Sequence, residues 1–217
     1  MELVKKYIWK RRGLKILDTG CGTGGLMKKL SKIGNVVGID FNHEAIKFAK
    51  RRGISVKLST IERIPFRDNR FDLVTCIDVI YHKQVKDDVK ALEEIRRVLK
   101  PGGLLILRVP ANKFLMSAHD KHVHTARRYN KKELASKLYR AGLKIVNISF
   151  VHLPIFPLSL VRVGIERLSN QRNSSSVGRV NPILNQIPTW VLNFEAWLIA
   201  KGLVIPFGQG LIAVAMK

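Results

Sequence analysis

Acidic residues are scarce in this chain: 16 Asp and Glu stand against 39 Lys and Arg, a formal net charge of +23. Such a field favours anionic partners, meaning nucleic acid, anionic lipid headgroups or phosphorylated substrates, unless the basic side chains merely solvate exposed faces. Cysteine is scarcer still. Cys21 and Cys76 are too few for a disulfide framework or a cysteine-built zinc site, and this fits a reducing cytoplasm. Long apolar runs are missing as well. The longest candidate, Ile187 to Met216, is interrupted by Glu195, Lys201, Pro206 and several glycines, so no membrane span is expected. The opening segment MELVKKYIWKRRG is basic but has no apolar centre of the kind a secretory signal needs. Internal repeats are absent. These absences lead to the expectation of a cytoplasmic protein, with peripheral contact to a membrane left open.

What is present is a globular composition, 217 residues with 46% hydrophobic and 25% charged, which fits one domain with elaborations. Apolar runs at Leu14–Asp18, Val36–Asp40, Ile54–Leu58, Phe71–Ile77, Leu104–Val109 and Leu143–Val151 read as six strands. Helical patterns separate them: one opening at the glycines after Asp18, one capped by Asn42 and stopped at Gly53, one over Lys86 to Leu99 ended by Pro101-Gly102-Gly103, and one started by Asn130. Alternation of this kind predicts an α/β, Rossmann-like doubly wound sheet, mostly parallel and covered on both faces. The predicted organisation is a single domain over residues 1–217. It has a core over 14–151, an apolar helical insertion over 152–208 containing the polar stretch Ser169 to Asn181, and an antiparallel seventh strand over 209–216.

The stretch ILDTGCGTGG, Ile16 to Gly25, carries the most information. Gly20-x-Gly22-x-x-Gly25 after a strand lets backbone approach a ligand, as in any Rossmann-like binder, and by itself suggests a dinucleotide. Asp18 argues otherwise. A carboxylate at that strand end would repel a diphosphate sitting on a helix N-terminus, whereas it suits a ligand that carries an ammonium and a sulfonium. Asp40, at the end of the second strand, can accept both hydroxyls of a ribose in either case.

The motifs ILDTGCGTG, VVGIDFN, IPFRDNRFDLV and EEIRRVLKPGGLLIL, in that order and spacing, resemble those of class I S-adenosylmethionine-dependent methyltransferases. The closest likeness is to their type-11 branch, which includes quinone-lipid methyltransferases. The resemblance covers about residues 14 to 150 and implies S-adenosylmethionine as cofactor. It implies that Asp18, Gly20, Cys21 and Gly22 surround the methionine and ribose portions, that Asp40 takes the ribose hydroxyls and that Phe41 packs beside the adenine. Thr60 stands where the family usually has an aspartate for the adenine amino group, which makes a weaker, neutral acceptor; the Ile61 amide would meet the ring. Ile77 and Asp78 would line the sulfonium side.

The acceptor is less legible. The exit of the fourth strand, CIDVIYH, lacks the Asn/Asp-Pro-Pro-Tyr/Phe signature of amino-group methyltransferases. Thr75-Cys76 is read as structural, and His82 as a structural hydrogen-bonder. The segment SAHDKHVHTARRYN, Ser117 to Asn130, holds three of the six histidines on the carboxyl edge of the sheet, where ligands bind in open α/β folds. It is predicted to be the substrate loop. His119, His124 and Tyr129 are its candidate catalytic residues, and Asp120, His122, Arg127 and Arg128 would hold substrate. Its basic flanks disfavour a metal, and none is expected. In the C-terminal insertion, Trp190, Phe194, Trp197 and Leu198 recur at helical spacing, with Arg162, Arg167 and Lys201 at the edges. This pattern suits either a lid on the core, a dimer face or contact with a bilayer surface.

Three functions follow. The first is a methyltransferase acting on a small-molecule or lipid-linked acceptor, at oxygen. The second is an RNA or protein methyltransferase that exploits the basic field. The third is a non-catalytic binder that kept the fold. Nucleic acid is the less favoured partner: residues 1–150 carry 33 basic and 14 acidic side chains and the remainder only 6 and 2, so no basic appendage is added to the core.

Overall fold

The computed structural model describes residues 2–8, 13–168 and 182–217, with side chains described for all of these except residues 2, 3, 5 and 182–190. The stretch Ser169 to Asn181 and the side chain of Trp190 therefore lie outside the described residues. The chain begins with α1 (Glu2–Ile8) and then alternates through β1 (Leu14–Thr19), α2 (Gly25–Leu30), β2 (Gly34–Asp40), α3 (His43–Arg51), β3 (Val56–Leu58), β4 (Phe71–Ile77), α4 (Asp88–Val98) and β5 (Leu99–Pro110). A 3₁₀ turn at Lys113–Leu115 leads into α5 (Ala118–His122), α6 (Lys131–Arg140) and β6 (Lys144–Val151). A second 3₁₀ turn at Leu153–Ile155 leads into α7 (Phe156–Leu168), followed by α8 (Pro182–Lys201) and β7 (Gly210–Met216).

The strands form one seven-stranded sheet in the order β3-β2-β1-β4-β5-β7-β6. The first five pair in parallel, and β7 runs antiparallel between β5 and β6. This is the doubly wound, mostly parallel arrangement with a helical insertion between the sixth and seventh strands. Because both faces are covered, strand residues alternate between two buried layers. Leu17, Val74 and Leu105 face α4 and α6, where Leu92, Ile95, Leu134 and Leu138 meet them. Ile16, Leu73 and Ile106 face the other way, toward Val4 and Ile8 of α1 and Leu30 of α2.

Local sequence sets the helix starts. The Asn42 side chain accepts from the amides of Glu44 and Ala45, the Asp87 side chain from Val89 and Lys90, and the Asn130 side chain from Glu133. One boundary differs from expectation. Pro101-Gly102-Gly103 does not terminate a helix: α4 ends at Val98, and Leu99 is already extended and paired with Phe71. Strand pairing thus takes the turn residues into β5, and the ladder absorbs them in an irregularity between Phe71 and Leu73. The segment after β5, expected as a loop, also contains structure of its own, the 3₁₀ turn and α5.

Candidate active site

β1 lies between β2 and β4, and each of these three strands delivers a carboxylate at its carboxyl end: Asp18, Asp40 and Asp78. In a chain so rich in bases this row is a local concentration of negative charge. Asp18 is buried, and its Oδ1 accepts from the Thr75 hydroxyl at 2.6 Å. Burial pushes its carboxyl up to about 6; the Thr75 bond works against the rise and the Asp40 charge adds to it. Asp40 accepts from the Gly22 amide and from the Asn42 amide, each at 2.8 Å, so the second strand end and the glycine loop hold one another in place. Asp78 takes a left-handed backbone conformation (φ 60°) and pairs with the Arg108 guanidinium through both of its oxygens.

The glycines divide by role. Gly20 has φ +66°, and a Cβ there would come within 2.3 Å of Val79, so the loop can pass close to the β4 exit only without a side chain. At Gly22, φ is +53° and a Cβ would meet nothing within 4 Å: the space over it is open, as a ligand would require. Cys21 is buried in a cluster with Met27, Ile46 and Ala49, and a Cβ on Gly38 would lie 2.6 Å from its sulfur. Burial pushes the Cys21 and Cys76 thiols up to about 12, so neither is a thiolate nucleophile near neutral pH.

Beside the loop lies a cavity of about 100 Å³, bounded by Gly20, Asp40, Phe41, Thr60, Ile61 and Val79. Thr60 is exposed and Ile61 buried, so one offers a hydroxyl at the rim while the other forms the floor. The Phe41 ring stands at the rim against the His82 ring (5.6 Å between centroids), and His82 in turn meets His124 at 5.7 Å. Burial and the neighbouring His124 hold the His82 ring below its ordinary value. Val79, Gln84 and Val85 were not among the residues singled out from the sequence, and His82 was expected only as a structural hydrogen-bonder. Their only local signal is that they follow a strand end.

The segment Ser117 to Asn130 requires three corrections. Asp120 and Arg128, expected to hold substrate, are buried and paired with each other: Arg128 Nε and Nη2 donate to the two Asp120 oxygens at 3.0 and 3.1 Å. The Ser117 amide and hydroxyl also donate to Asp120, and Arg128 Nη1 donates to the Ala111 carbonyl, so the pair is engaged in holding the segment together. Tyr129, expected to be catalytic, is fully buried, and its hydroxyl donates to Asp88 at 2.8 Å. Burial and that carboxylate raise the phenol well above its ordinary range, which removes it as a base. Arg127 donates to the Val85 carbonyl and lies 3.4 Å from Asp88. Burial disfavours the charged form of Asp88, but Lys137, Tyr129 and Arg127 outweigh it and hold the carboxyl below its usual value. The physical role of this segment is thus a clamp that fastens the β5 exit to α4 and α6. His122 and His124 remain exposed and His119 is half-buried, while only His124 reaches the rim of the cavity, through His82. Among the described residues no group of three or more His, Cys, Asp or Glu could hold a metal.

Comparison with known proteins agrees with this geometry. Residues 17–107 match the family model described as a methyltransferase domain. That stretch belongs to the methyltransferase-domain family. Over 112 residues the chain is 39% identical to the demethylmenaquinone methyltransferase of Staphylococcus aureus, covering 48% of this chain and 46% of that one. Over 108 residues it is 36% identical to the protein named probable tRNA methyltransferase 9B of Mus musculus, covering 49% of this chain and 24% of that one. The match therefore spans 24 to 46% of the length of these relatives. Among solved structures, the Haemonchus contortus phosphoethanolamine N-methyltransferase 2 in complex with S-adenosyl-L-methionine superposes with a TM-score of 0.63 at 20% identity, over 99% of this chain and 51% of that one. The fold of this methyltransferase domain is thus the Rossmann-like fold of S-adenosylmethionine-dependent methyltransferases.

Proposed function

We propose that the chain transfers a methyl group from S-adenosylmethionine to a small-molecule or lipid-linked acceptor, at oxygen. The observation that carries this reading is the row Asp18, Asp40 and Asp78 around an open glycine loop, in a chain whose net charge is +23. A site that gathers carboxylates against the prevailing charge suits a cation. The residues present fit the cofactor. Among the described residues no cation lies against buried Asp18, and an ammonium or sulfonium nearby would relieve that burden. Each Asp40 oxygen accepts one amide, which leaves lone pairs for two ribose hydroxyls. Phe41, Thr60 and Ile61 bound the cavity that would take the adenine. When bound, the cofactor supplies an activated methyl group, so alignment by these residues accounts for much of the rate.

The apolar surface supports the acceptor class. Leu158, Val161 and Leu168 of α7 are 70, 59 and 90% exposed along one side of the helix, and Lys201 stands 5.7 Å over the Trp197 ring of α8. No helix among the described residues is long and apolar enough to cross a membrane. We therefore read a cytoplasmic protein whose insertion rests on an anionic bilayer surface. RNA is the second reading, favoured by the exposed cluster Lys28, Lys29, Lys32, Arg51 and Arg52 near the ends of α2 and α3 and by the tRNA methyltransferase among its relatives. The test is methyl transfer from labelled cofactor into fractionated lysate. Label in the lipid or small-molecule fraction is the expected result; label confined to RNA or protein would refute the proposed acceptor. A folded protein that does not bind S-adenosylmethionine would leave only a non-catalytic binder.

A further inference from the structure

A second, larger cavity of about 400 Å³ lies on the other face of the sheet, enclosed by α1, α2, α8 and the strands. Most of its wall is apolar: Leu26 and Leu30 of α2, Ile77 of β4, Ile106 of β5, Ile199 of α8 and Ile212 of β7. Four polar residues interrupt that wall, namely Thr75, Arg108, His152 and Glu195. Two of them touch the carboxylate row directly. Thr75 donates to Asp18, and Arg108 pairs with Asp78. The cavity therefore borders the residues assigned to the cofactor, and its volume suits a small apolar ligand.

The other two are joined across 43 residues of sequence. Glu195 is 6% exposed and accepts from the amides of both His152 and Leu153 at 2.7 Å. This holds His152 in a left-handed conformation (φ 64°) that a non-glycine residue seldom takes, at the end of β6. The clamp fixes α8 as one wall and keeps the imidazole at the cavity beside Arg108. Burial and Arg108 hold the ring below its ordinary value, while Glu195 and Asp78 act in the opposite sense. At neutral pH the ring is uncharged and able to accept a proton.

Resting on the methyltransferase reading above, we propose that this cavity is the acceptor compartment, that it takes an apolar molecule bearing a weakly acidic hydroxyl, and that His152 removes the hydroxyl proton. In that step the O–H proton passes to an imidazole nitrogen as an oxygen lone pair forms the bond to the methyl carbon. The carbon–sulfur bond of the sulfonium donor breaks with its electron pair remaining on sulfur, which leaves a neutral thioether, and the imidazolium later returns its proton to water. Arg108 steadies the negative charge that develops on oxygen. A phenol-type hydroxyl, with a pKa of about 10, lies within reach of an imidazole base, as an aliphatic alcohol does not. An ammonium acceptor would instead meet Arg108 and an apolar wall.

The test uses the whole chain and 4-octylphenol as probe, titrated by calorimetry without cofactor, so that it is independent of S-adenosylmethionine binding. Titration of S-adenosylmethionine in a separate arm reports on the methyltransferase reading alone. We expect 4-octylphenol to bind at least about tenfold more tightly than 4-octyltoluene, which has its shape but no hydroxyl. Ala196→Trp, which fills the cavity from α8, should weaken binding at least about tenfold while the protein still melts cooperatively. On acidification from pH 7.5 to 5 the wild-type affinity should fall, because a protonated ring no longer accepts; His152→Gln should lose that dependence and keep binding within a few-fold. Equal affinity for phenol and toluene, or the same pH profile in wild type and His152→Gln, would overturn the proposal.

Discussion

Replacing Asp18 with Asn should make the protein more stable and a poorer binder of its cofactor. The carboxyl of Asp18 is pushed from 3.8 up to about 6, chiefly by burial. The folded chain therefore holds this proton more tightly than the unfolded chain, and stability falls as pH rises between about 4 and 6. A displacement of about 2 units corresponds to about 3 kcal/mol, present in full above pH 7 and shrinking below about 1 kcal/mol at pH 4. Asn removes the charge, and its Oδ1 can still accept from the Thr75 hydroxyl, so the packing is kept. Urea unfolding should show Asp18→Asn more stable than wild type by about 1 to 3 kcal/mol at pH 7.5, with an unchanged m value, and little different at pH 4. In a thermal scan the gain should be about 2 to 10 °C. Calorimetry should show S-adenosylmethionine affinity lowered at least about tenfold, since the buried anion is what a cationic ligand meets. Equal stabilisation at both pH values, or none at pH 7.5, would refute the assignment of Asp18 as an uncompensated buried carboxylate.

Three other variants separate scaffold from site. Gly20→Ala should cost about 1 to 3 kcal/mol, because it combines a left-handed backbone with a Cβ driven into Val79, and chemical denaturation would measure it. Tyr129→Phe removes the hydrogen bond to Asp88 and should cost about 1 to 2 kcal/mol in the same assay while cofactor affinity and methyl transfer stay within a few-fold; a collapse of transfer in a stable variant would restore Tyr129 to the catalytic residues. Leu158→Glu with Val161→Glu, at exposed positions, should leave the melting temperature within about 2 °C and abolish co-sedimentation with anionic vesicles.

Much of this was legible because the informative residues act locally. Continuous apolar runs announced strands buried on both faces, and Asp18 and Asp40 are read from their place at strand ends beside glycines. The segment Ser117 to Asn130 was legible only in part. A loop rich in Asp, Arg, His and Tyr looks the same whether those side chains meet a ligand or one another. What decides is burial, and Tyr129 finds Asp88 41 residues away. The Lys-Pro-Gly-Gly turn was misread for a related reason: its local preference ends a helix, but pairing of Leu99 with Phe71 makes it the start of a strand. His152 was passed over altogether, since a lone histidine two residues before a proline says little. Its significance depends on Glu195, carried by a helix that follows much later in the chain.

The central claim is that the glycine loop and its row of carboxylates hold a cationic sulfonium cofactor and not a dinucleotide. Its most direct test is calorimetric titration of the folded wild-type chain with S-adenosylmethionine and, separately, with NAD⁺. The account requires saturable one-to-one binding of S-adenosylmethionine, weakened at least about tenfold by Asp40→Asn, and no binding of NAD⁺. Binding of NAD⁺, or a folded protein that takes up no S-adenosylmethionine, would contradict it.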